Sequence, residues 1–279
     1  MAKTLQDYKS SVKPIWCAKC GHYGVLNSLY RAFVELDIDP ANAVTVSGIG
    51  CSSRLPYFVN AYGFHGVHGR ALPTAMGVKV ANPELTVVAT GGDGDGLAIG
   101  IGHFPHACRR NVDITYIMMD NFIYGLTKGQ ASPTTHTGHA AKASPQGPSE
   151  TPIDPATLAI TFGATYVARC FSGQPAQTAA ILKEAIAHKG FSFIHVLGPC
   201  ATFYDTLQIC REGTAQLEEG YDDTNKQSAA ATATSINPIY LGVLYKSDQP
   251  VHVQGQPTSS LPERAERMQR LDKVFANYV

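Results

Sequence analysis

Apolar residues recur along the chain in two rhythms. Short apolar runs at 42–47 (NAVTVS), 86–89 (TVVA), 112–119 (VDITYIMM), 165–169 (TYVAR) and 192–197 (SFIHVL) have the length and composition of strands. Between them lie stretches with helical spacing. Val25, Leu26, Leu29, Phe33 and Val34 set a helix over 25–35, which 37–40 breaks. Further helices are expected over 71–80, 97–109, 155–162 and 174–189, the last amphipathic and capped by Gly190. Strands alternating with helices predict an α/β fold, a mostly parallel sheet with helices on both faces.

Other segments lack either rhythm. Residues 1–15 read as an extended N-terminal arm. Residues 62–70 (YGFHGVHGR) hold two histidines and three glycines, and 124–135 (YGLTKGQASPTT) is polar and turn-rich, as expected of an active-site loop. A linker with four prolines spans 142–155. From about 207 to 279 runs a C-terminal extension. It has a polar part at 222–235, an apolar run at 240–245 and a charged terminal helix at 262–278. This tail is expected to wrap a partner or cover the sheet. The whole chain, 1–279, is read as one domain.

The chemistry gathers where strands end. The run at 86–89 leads into Gly91-Gly92-Asp93-Gly94-Asp95-Gly96, and the run at 112–119 into Asp120-Asn121. Ligands of open α/β sheets bind at the carboxyl ends of strands. A Mg²⁺ ion takes about six hard oxygens and shares them with phosphates. Asp93 offers a carboxylate, Asn121 an amide oxygen and Ile123 a backbone carbonyl. The glycines beside Asp93 allow a diphosphate to approach, and the next helix aims its dipole at the anion. Twenty-six residues separate Gly94 from Asn121, enough for one helix and one strand, so both turns fall on one edge. Two ordinary βα turns would leave unexplained why Asp93 and Asp95 share one of them.

Composition narrows the class. The formal charge is zero and 16% of residues are charged, so nucleic-acid binding has no electrostatic support. No apolar leader and no run of about 18 apolar residues occur, so a soluble, cytoplasmic protein is expected, with no membrane partner. There are seven cysteines, an odd number, which favours thiolate chemistry over a disulfide framework. Cys17 and Cys20 form a CxxC, while Cys51 and Cys200 each follow a strand at a Gly-rich turn. Four thiolates from such loops suit an iron–sulfur cluster or a zinc site. A redox CxxC remains a third reading, although no apolar strand precedes it. Cys108, Cys170 and Cys210 read as packing residues.

Together these motifs carry a resemblance. WCAKCGHYG, GIGCSSR, HGRALP, GGDGDGLAIG, MDNFIYGLTKGQASPTT and GPC occur in this order over about residues 10–215. The chain resembles the β subunit of 2-oxoacid:ferredoxin oxidoreductases, of the 2-oxoglutarate type. That resemblance implies the thiamine diphosphate-binding fold, with thiamine diphosphate, Mg²⁺ and a 4Fe–4S cluster as cofactors. It implies Mg²⁺ ligands at Asp93, Asn121 and Ile123, and cluster ligands at Cys17, Cys20, Cys51 and Cys200. Cofactor contacts are expected at Ser52, His68, Gly92, Gly94, Asp95 and Gly125. Arg54, Leu126 and Lys128 are the candidate catalytic and substrate residues, Arg54 as a cation for a distal carboxylate. His65 and Arg70 are further candidates for diphosphate or substrate contact, whereas His103 and His106 read as packing or surface residues.

The implied reaction is decarboxylation of a 2-oxoacid, with electrons passed through the cluster to ferredoxin and the acyl group to coenzyme A. Thiamine activation needs a carboxylic acid beside the pyrimidine ring, and no Glu of this chain stands in a recognisable place for it. The resemblance assigns that Glu to an α subunit, so an inactive single chain and an α2β2 assembly are expected. 2-Oxoglutarate is preferred over pyruvate or broad 2-oxoacid use. Two rivals stand beside this reading. One is an electron-transfer or scaffold subunit without catalysis, which the Asp93/Asn121 pair opposes. The other is a non-redox thiamine decarboxylase with a zinc site.

Overall fold

Among the described residues eight strands form one sheet, and the order of those strands decides what meets at its edge. The structure, a computed structural model, describes residues 3–141 and 144–251, with Gln269, Asp272 and Ala276. The strands are β1 (Ala43–Ser47), β2 (Tyr62–His65), β3 (Thr86–Gly91), β4 (Ile114–Asp120), β5 (Tyr166–Phe171), β6 (Phe191–Leu197), β7 (Thr214–Gln216) and β8 (Ile239–Lys246). Their spatial order is β2-β1-β3-β4-β6-β5-β8-β7. From β2 to β5 all pairings are parallel; β8 runs antiparallel to β5, and β7 parallel to β8.

The helices are α1 (His22–Glu35), α2 (Ala71–Ala81), α3 (Phe104–Arg110), α4 (Pro155–Phe162), α5 (Pro175–Ala187), α6 (Leu207–Glu212) and α7 (Lys226–Ala233). Every residue of β4 and β6 is buried, because both sheet faces are covered. Tyr116 and Met118 of β4 join a core with α2, α3, α4 and α7. Ile117 and Met119, one residue out of phase, join the opposite core with α1 and α5. Phe191 and Phe193 are fully buried in the first core. Each such ring contributes roughly 1.5–3 kcal/mol by leaving water.

The α/β reading and its mostly parallel sheet hold, with several local differences. The single helix expected over 97–109 is broken. A wide turn over Asp95–Ile99 closes with Gly100 N–H donating to the Asp95 carbonyl at 3.1 Å, and α3 starts only at Phe104. Gly100, Gly102 and Pro105 supply no continuous helix signal. The 62–70 segment contains a strand, β2, on the sheet edge; all four of its residues are exposed, and the alternation of Tyr62 and Phe64 is too short among the glycines to mark it. The polar 222–235 stretch contains α7, capped by Asn225, which buries Ala229 and Ala233. α5 ends at Ala187 with His188 as its cap, short of Gly190.

The proline-rich segment expected as a linker folds back on the active-site loop. Gly138 N–H donates to the Pro148 carbonyl, and Ile153 N–H to the Pro133 carbonyl, both at 2.9 Å. The tail covers one sheet face with α7, as expected, and also lengthens the sheet through β8 and β7. The N-terminal arm is anchored by Tyr8, which is wholly buried and donates its hydroxyl to the Ile38 carbonyl at 2.5 Å, with the Phe33 carbonyl at 3.1 Å. The expected helix at 262–278 falls outside the described residues, three positions aside. No described helix is long and apolar enough to cross a membrane.

Candidate active site

The parallel neighbours β1, β3, β4 and β6 end on one edge, so four loops stand side by side. They carry Cys51, the GGDGDG turn, Asp120-Asn121 and Cys200. The CxxC loop, which follows no strand, is brought in by two bonds. Trp16 Nε1 donates to the Cys51 carbonyl at 2.7 Å, and Gly21 N–H to the Pro199 carbonyl at 3.1 Å. The Trp16 ring meets Phe58 edge-on at 4.8 Å, which fixes the indole. Two adjoining cavities open at this edge.

The first cavity, of about 480 Å³, is lined by the Gly50–Ser52 loop, the Gly92–Asp95 turn and the Asn121–Thr127 loop, with His22 and His68. Asp93 is 2% exposed and forms no ion pair among the described residues. Its Oδ2 accepts from the Thr134 hydroxyl at 2.7 Å, and the same hydroxyl lies 2.9 Å from Asp120 Oδ1. A hydroxyl carries one proton, so it serves only one of the two carboxylates at a time. Asp120 already accepts from Phe122 N–H at 2.9 Å and from His195 Nε2 at 2.8 Å. Hydrogen bonds from Ser132, Thr134 and the Gly94 amide do not offset burial and then the Asp120 charge, so the Asp93 pKa is pushed up to about 7, and burial raises Asp120 alike. A hard divalent cation on Asp93, beside the Asn121 side chain and the Ile123 carbonyl, fits this imbalance. The backbone at Phe122 is left-handed, φ 60°, which turns the Asn121–Ile123 segment at the cavity floor.

His195 and Asp120 approach as an ion pair would, yet burial and Arg169 push the imidazole down to about 3. The geometry settles the protonation. Arg169 Nε–H can only donate, and it reaches His195 Nδ1 at 3.1 Å, so Nδ1 carries the lone pair. His195 is therefore neutral and donates Nε2–H to the Asp120 carboxylate. Arg169 in turn pairs with Asp154, the N-cap of α4. This buried relay holds the end of β4 in place.

Asp95 lies in the same turn but has a different job in its contacts. Its Oδ1 accepts from Ile49 N–H at 2.9 Å and Gly69 N–H at 2.8 Å, and meets His68 Nδ1 at 2.6 Å. One carboxylate thus ties three loops together, and it orients His68, whose other ring nitrogen remains for the cavity. The loops come so close that a Cβ at Gly48 would stand 2.1 Å from Asp95 Oδ2. Gly94 is equally constrained, since a Cβ there would meet the Tyr124 ring at 2.2 Å.

The second cavity, of about 690 Å³, is lined by Cys17, Cys20, Cys51 and Cys200. Arg54, Leu126 and Lys128 line it too. All four expected thiols thus converge, and so do the three expected substrate residues. Among the described residues no three His, Cys, Asp or Glu groups stand close enough to hold a single metal ion. Burial pushes Cys20 up to about 12, and burial with the neighbouring Cys200 pushes Cys51 up to about 11. Such thiols ionise when an electropositive centre binds them. A Cβ added at Gly125 would lie 3.6 Å from Cys51 Sγ and 3.8 Å from Cys200 Sγ, so Gly125 sits between both sulfurs. Arg54 and Lys128 form no ion pair among the described residues.

Ser52, Gly92 and Gly94 line the first cavity as expected. His65 instead meets Ser47 Oγ at 2.9 Å, and Arg70 donates to the Gly69 and Ile99 carbonyls. His103 and His106 line neither cavity, and Cys108, Cys170 and Cys210 are buried in the cores. Sequence reasoning missed His22, Thr134 and His195 as site residues, and placed Asp120 in the second turn without giving it a role. For Thr134 a signal existed, its place in the turn-rich loop after Asn121. The others owe their roles to neighbours remote in sequence.

Comparison with known proteins agrees with this geometry. Residues 48–196 match the family model described as thiamine pyrophosphate enzyme, C-terminal TPP binding domain. Residues 200–258 match the model of the C-terminal part of the pyruvate ferredoxin oxidoreductase beta subunit. The β subunit of 2-oxoacid:ferredoxin oxidoreductase 2 from Aeropyrum pernix is 40% identical, over 96% of this chain and 89% of its own. The 2-oxoglutarate synthase subunit KorB of Archaeoglobus fulgidus is 48% identical, over 83% of this chain and 84% of its own. A solved 2-oxoglutarate:ferredoxin oxidoreductase from Magnetococcus marinus, with 2-oxoglutarate, coenzyme A and succinyl-CoA bound, superposes with a TM-score of 0.89. It shares 42% identity and covers 98% of this chain and 95% of that one. This chain belongs to the β subunits of 2-oxoacid:ferredoxin oxidoreductases, a class of oxidoreductase built on the thiamine diphosphate-binding fold.

Proposed function

We propose that this chain is the thiamine- and cluster-binding subunit of a 2-oxoglutarate:ferredoxin oxidoreductase, located in the cytoplasm. The observation that carries the reading is the shared wall. Cys51, Asn121, Gly125 and Leu126 line both the acid-lined cavity and the thiol-lined one. When bound, thiamine diphosphate supplies the electron sink for decarboxylation, and a 4Fe–4S cluster the one-electron acceptor beside it. Asp93, Asn121 and the Ile123 carbonyl hold Mg²⁺ and through it the diphosphate. Cys17, Cys20, Cys51 and Cys200 hold the cluster. Arg54 and Lys128, without carboxylate partners among the described residues, bind the distal carboxylate of 2-oxoglutarate, and Leu126 packs on its methylenes.

No Glu lines either cavity among the described residues. The carboxylic acid that activates thiamine therefore comes from a partner α subunit, in an α2β2 assembly that uses coenzyme A and ferredoxin. The test is anaerobic co-purification with that subunit, followed by assay of 2-oxoglutarate and pyruvate with coenzyme A and a viologen or ferredoxin. Acceptor reduction with 2-oxoglutarate at a higher kcat/KM than with pyruvate is expected, and none from this chain alone. A pyruvate preference overturns the substrate assignment; reduction by the single chain overturns the division of labour.

A further inference from the structure

At the floor of the acid-lined cavity stands a histidine with nothing to hold. His22 is 1% exposed, and both Nδ1 and Nε2 are buried without a hydrogen-bond partner among the described residues. A buried imidazole with two idle nitrogens is costly, and a native protein keeps one where a ligand completes it. Its ring is not free to turn away. Trp16 meets it edge-on at 5.5 Å, and it lies over Gly198, where a Cβ would stand 3.5 Å from Nδ1. The ring lines the cavity of Asp93 and Asn121 but not that of the four thiols.

The shared lining identifies what it meets. Asp93 and Asn121, the proposed metal ligands, line the same cavity as His22 and are buried like it, at 2% and 8% exposed. On the proposed function, which this inference rests on and deepens, the diphosphate lies in that cavity with its cation. The thiazolium ring offers no hydrogen-bonding group, and the pyrimidine faces the partner subunit that activates it. We propose that His22 is a cofactor-binding residue that donates a ring N–H to a diphosphate oxygen of thiamine diphosphate. It thereby complements the glycine-rich turn that lines the same cavity.

The experiment uses the complex of this chain with its partner subunit, with Mg²⁺ present. Calorimetry measures binding of thiamine diphosphate and, separately, of inorganic diphosphate, to wild type, His22→Phe and His22→Gln. His22→Phe is expected to weaken both ligands by roughly tenfold, with His22→Gln recovering part of the loss. Cluster absorbance stays unchanged, and the ligand-free melting temperature does not fall. Should the phenylalanine variant not fold, His22→Asn, polar but too short to reach, is expected to show the same double loss. Wild-type affinity for both ligands in these variants overturns the inference while leaving the proposed function standing. A loss confined to thiamine diphosphate also overturns it, because the contact then lies on the rings. If the wild-type complex binds neither ligand, the proposed function fails and this inference with it.

Discussion

The two cavities meet at one wall yet are built on opposite plans. The acid-lined one is held rigid by the protein itself. Asp95 pins three loops, and Thr134, Asp120, His195 and Arg169 form a continuous buried relay behind Asp93. The thiol-lined one has no comparable internal bonding; its cysteines come from three segments joined mainly through Trp16 and Gly21. On the proposed function, one side is preorganised for a diphosphate and its cation. On the other, order depends on what the thiols bind.

That contrast can be broken from either side. The largest effect is expected for Cys20→Ser or Cys200→Ser in the co-purified complex. Visible absorbance is lost and acceptor reduction falls by about three orders of magnitude or more, because the electron acceptor no longer assembles. Thiamine diphosphate binding changes far less, as calorimetry will show. Asp93→Asn is the reverse cut. Mg²⁺-dependent thiamine diphosphate affinity falls by about 100-fold or more, above the 10–100-fold typical of groups behind a ligand, while visible absorbance persists.

Arg54→Ala sharpens the comparison within the thiol side. KM for 2-oxoglutarate rises by about 10–100-fold, the range for loss of a charged hydrogen bond, while KM for pyruvate changes little. Steady-state kinetics on both substrates decide it.

The smallest effect is read from pH, in the chain without cofactors. His195 has its pKa lowered from 6.5 to about 3 by burial, then by Arg169. Below pH 6.5 the unfolded chain takes up a proton there that the folded chain refuses. The His195 contribution to stability therefore falls as pH drops from 6.5 towards about 3, at ~1.4 kcal/mol per unit, while Asp93 and Asp120, raised from 3.8 to about 7 chiefly by burial, contribute with the opposite sign. Cys20 and Cys51 are raised from 9.0, so they have the opposite sign: their contribution is present below pH 9 and is lost as pH rises through about 11–12. Urea unfolding of wild type and His195→Gln at pH 5 and 7 checks the acid limb, where the variant shows the shallower slope.

Much of the site was legible because its chemistry is local. Gly92-Asp93-Gly94 and Asp120-Asn121 each follow an apolar run, and strand–turn chemistry is written in adjacent residues. The cysteines were legible for the same reason, each standing in a short Gly-rich motif. What escaped depends on contacts between distant segments. Asp95 reads as a cofactor contact from its turn alone, but the amides that bind its Oδ1 belong to Ile49 and Gly69. His22 reads as a residue beside a CxxC; its two idle nitrogens exist only in three dimensions. β2 escaped because it is a four-residue edge strand whose Tyr62 and Phe64 alternate among glycines, and α7 because small residues let it seat against α4 with little periodic signal.

The hydrogen bond from Trp16 to the Cys51 carbonyl also bears on how the molecule is made. The CxxC leaves the ribosome early, its first fastening partner appears with Cys51, and its last thiol arrives only at Cys200. The four sulfurs meet on the assembled sheet, since β1, β4 and β6 carry the loops that enclose them. Completion of the thiol set is thus a late event of synthesis, and a chain stopped before β6 has a nascent diphosphate seat but no complete set of sulfurs.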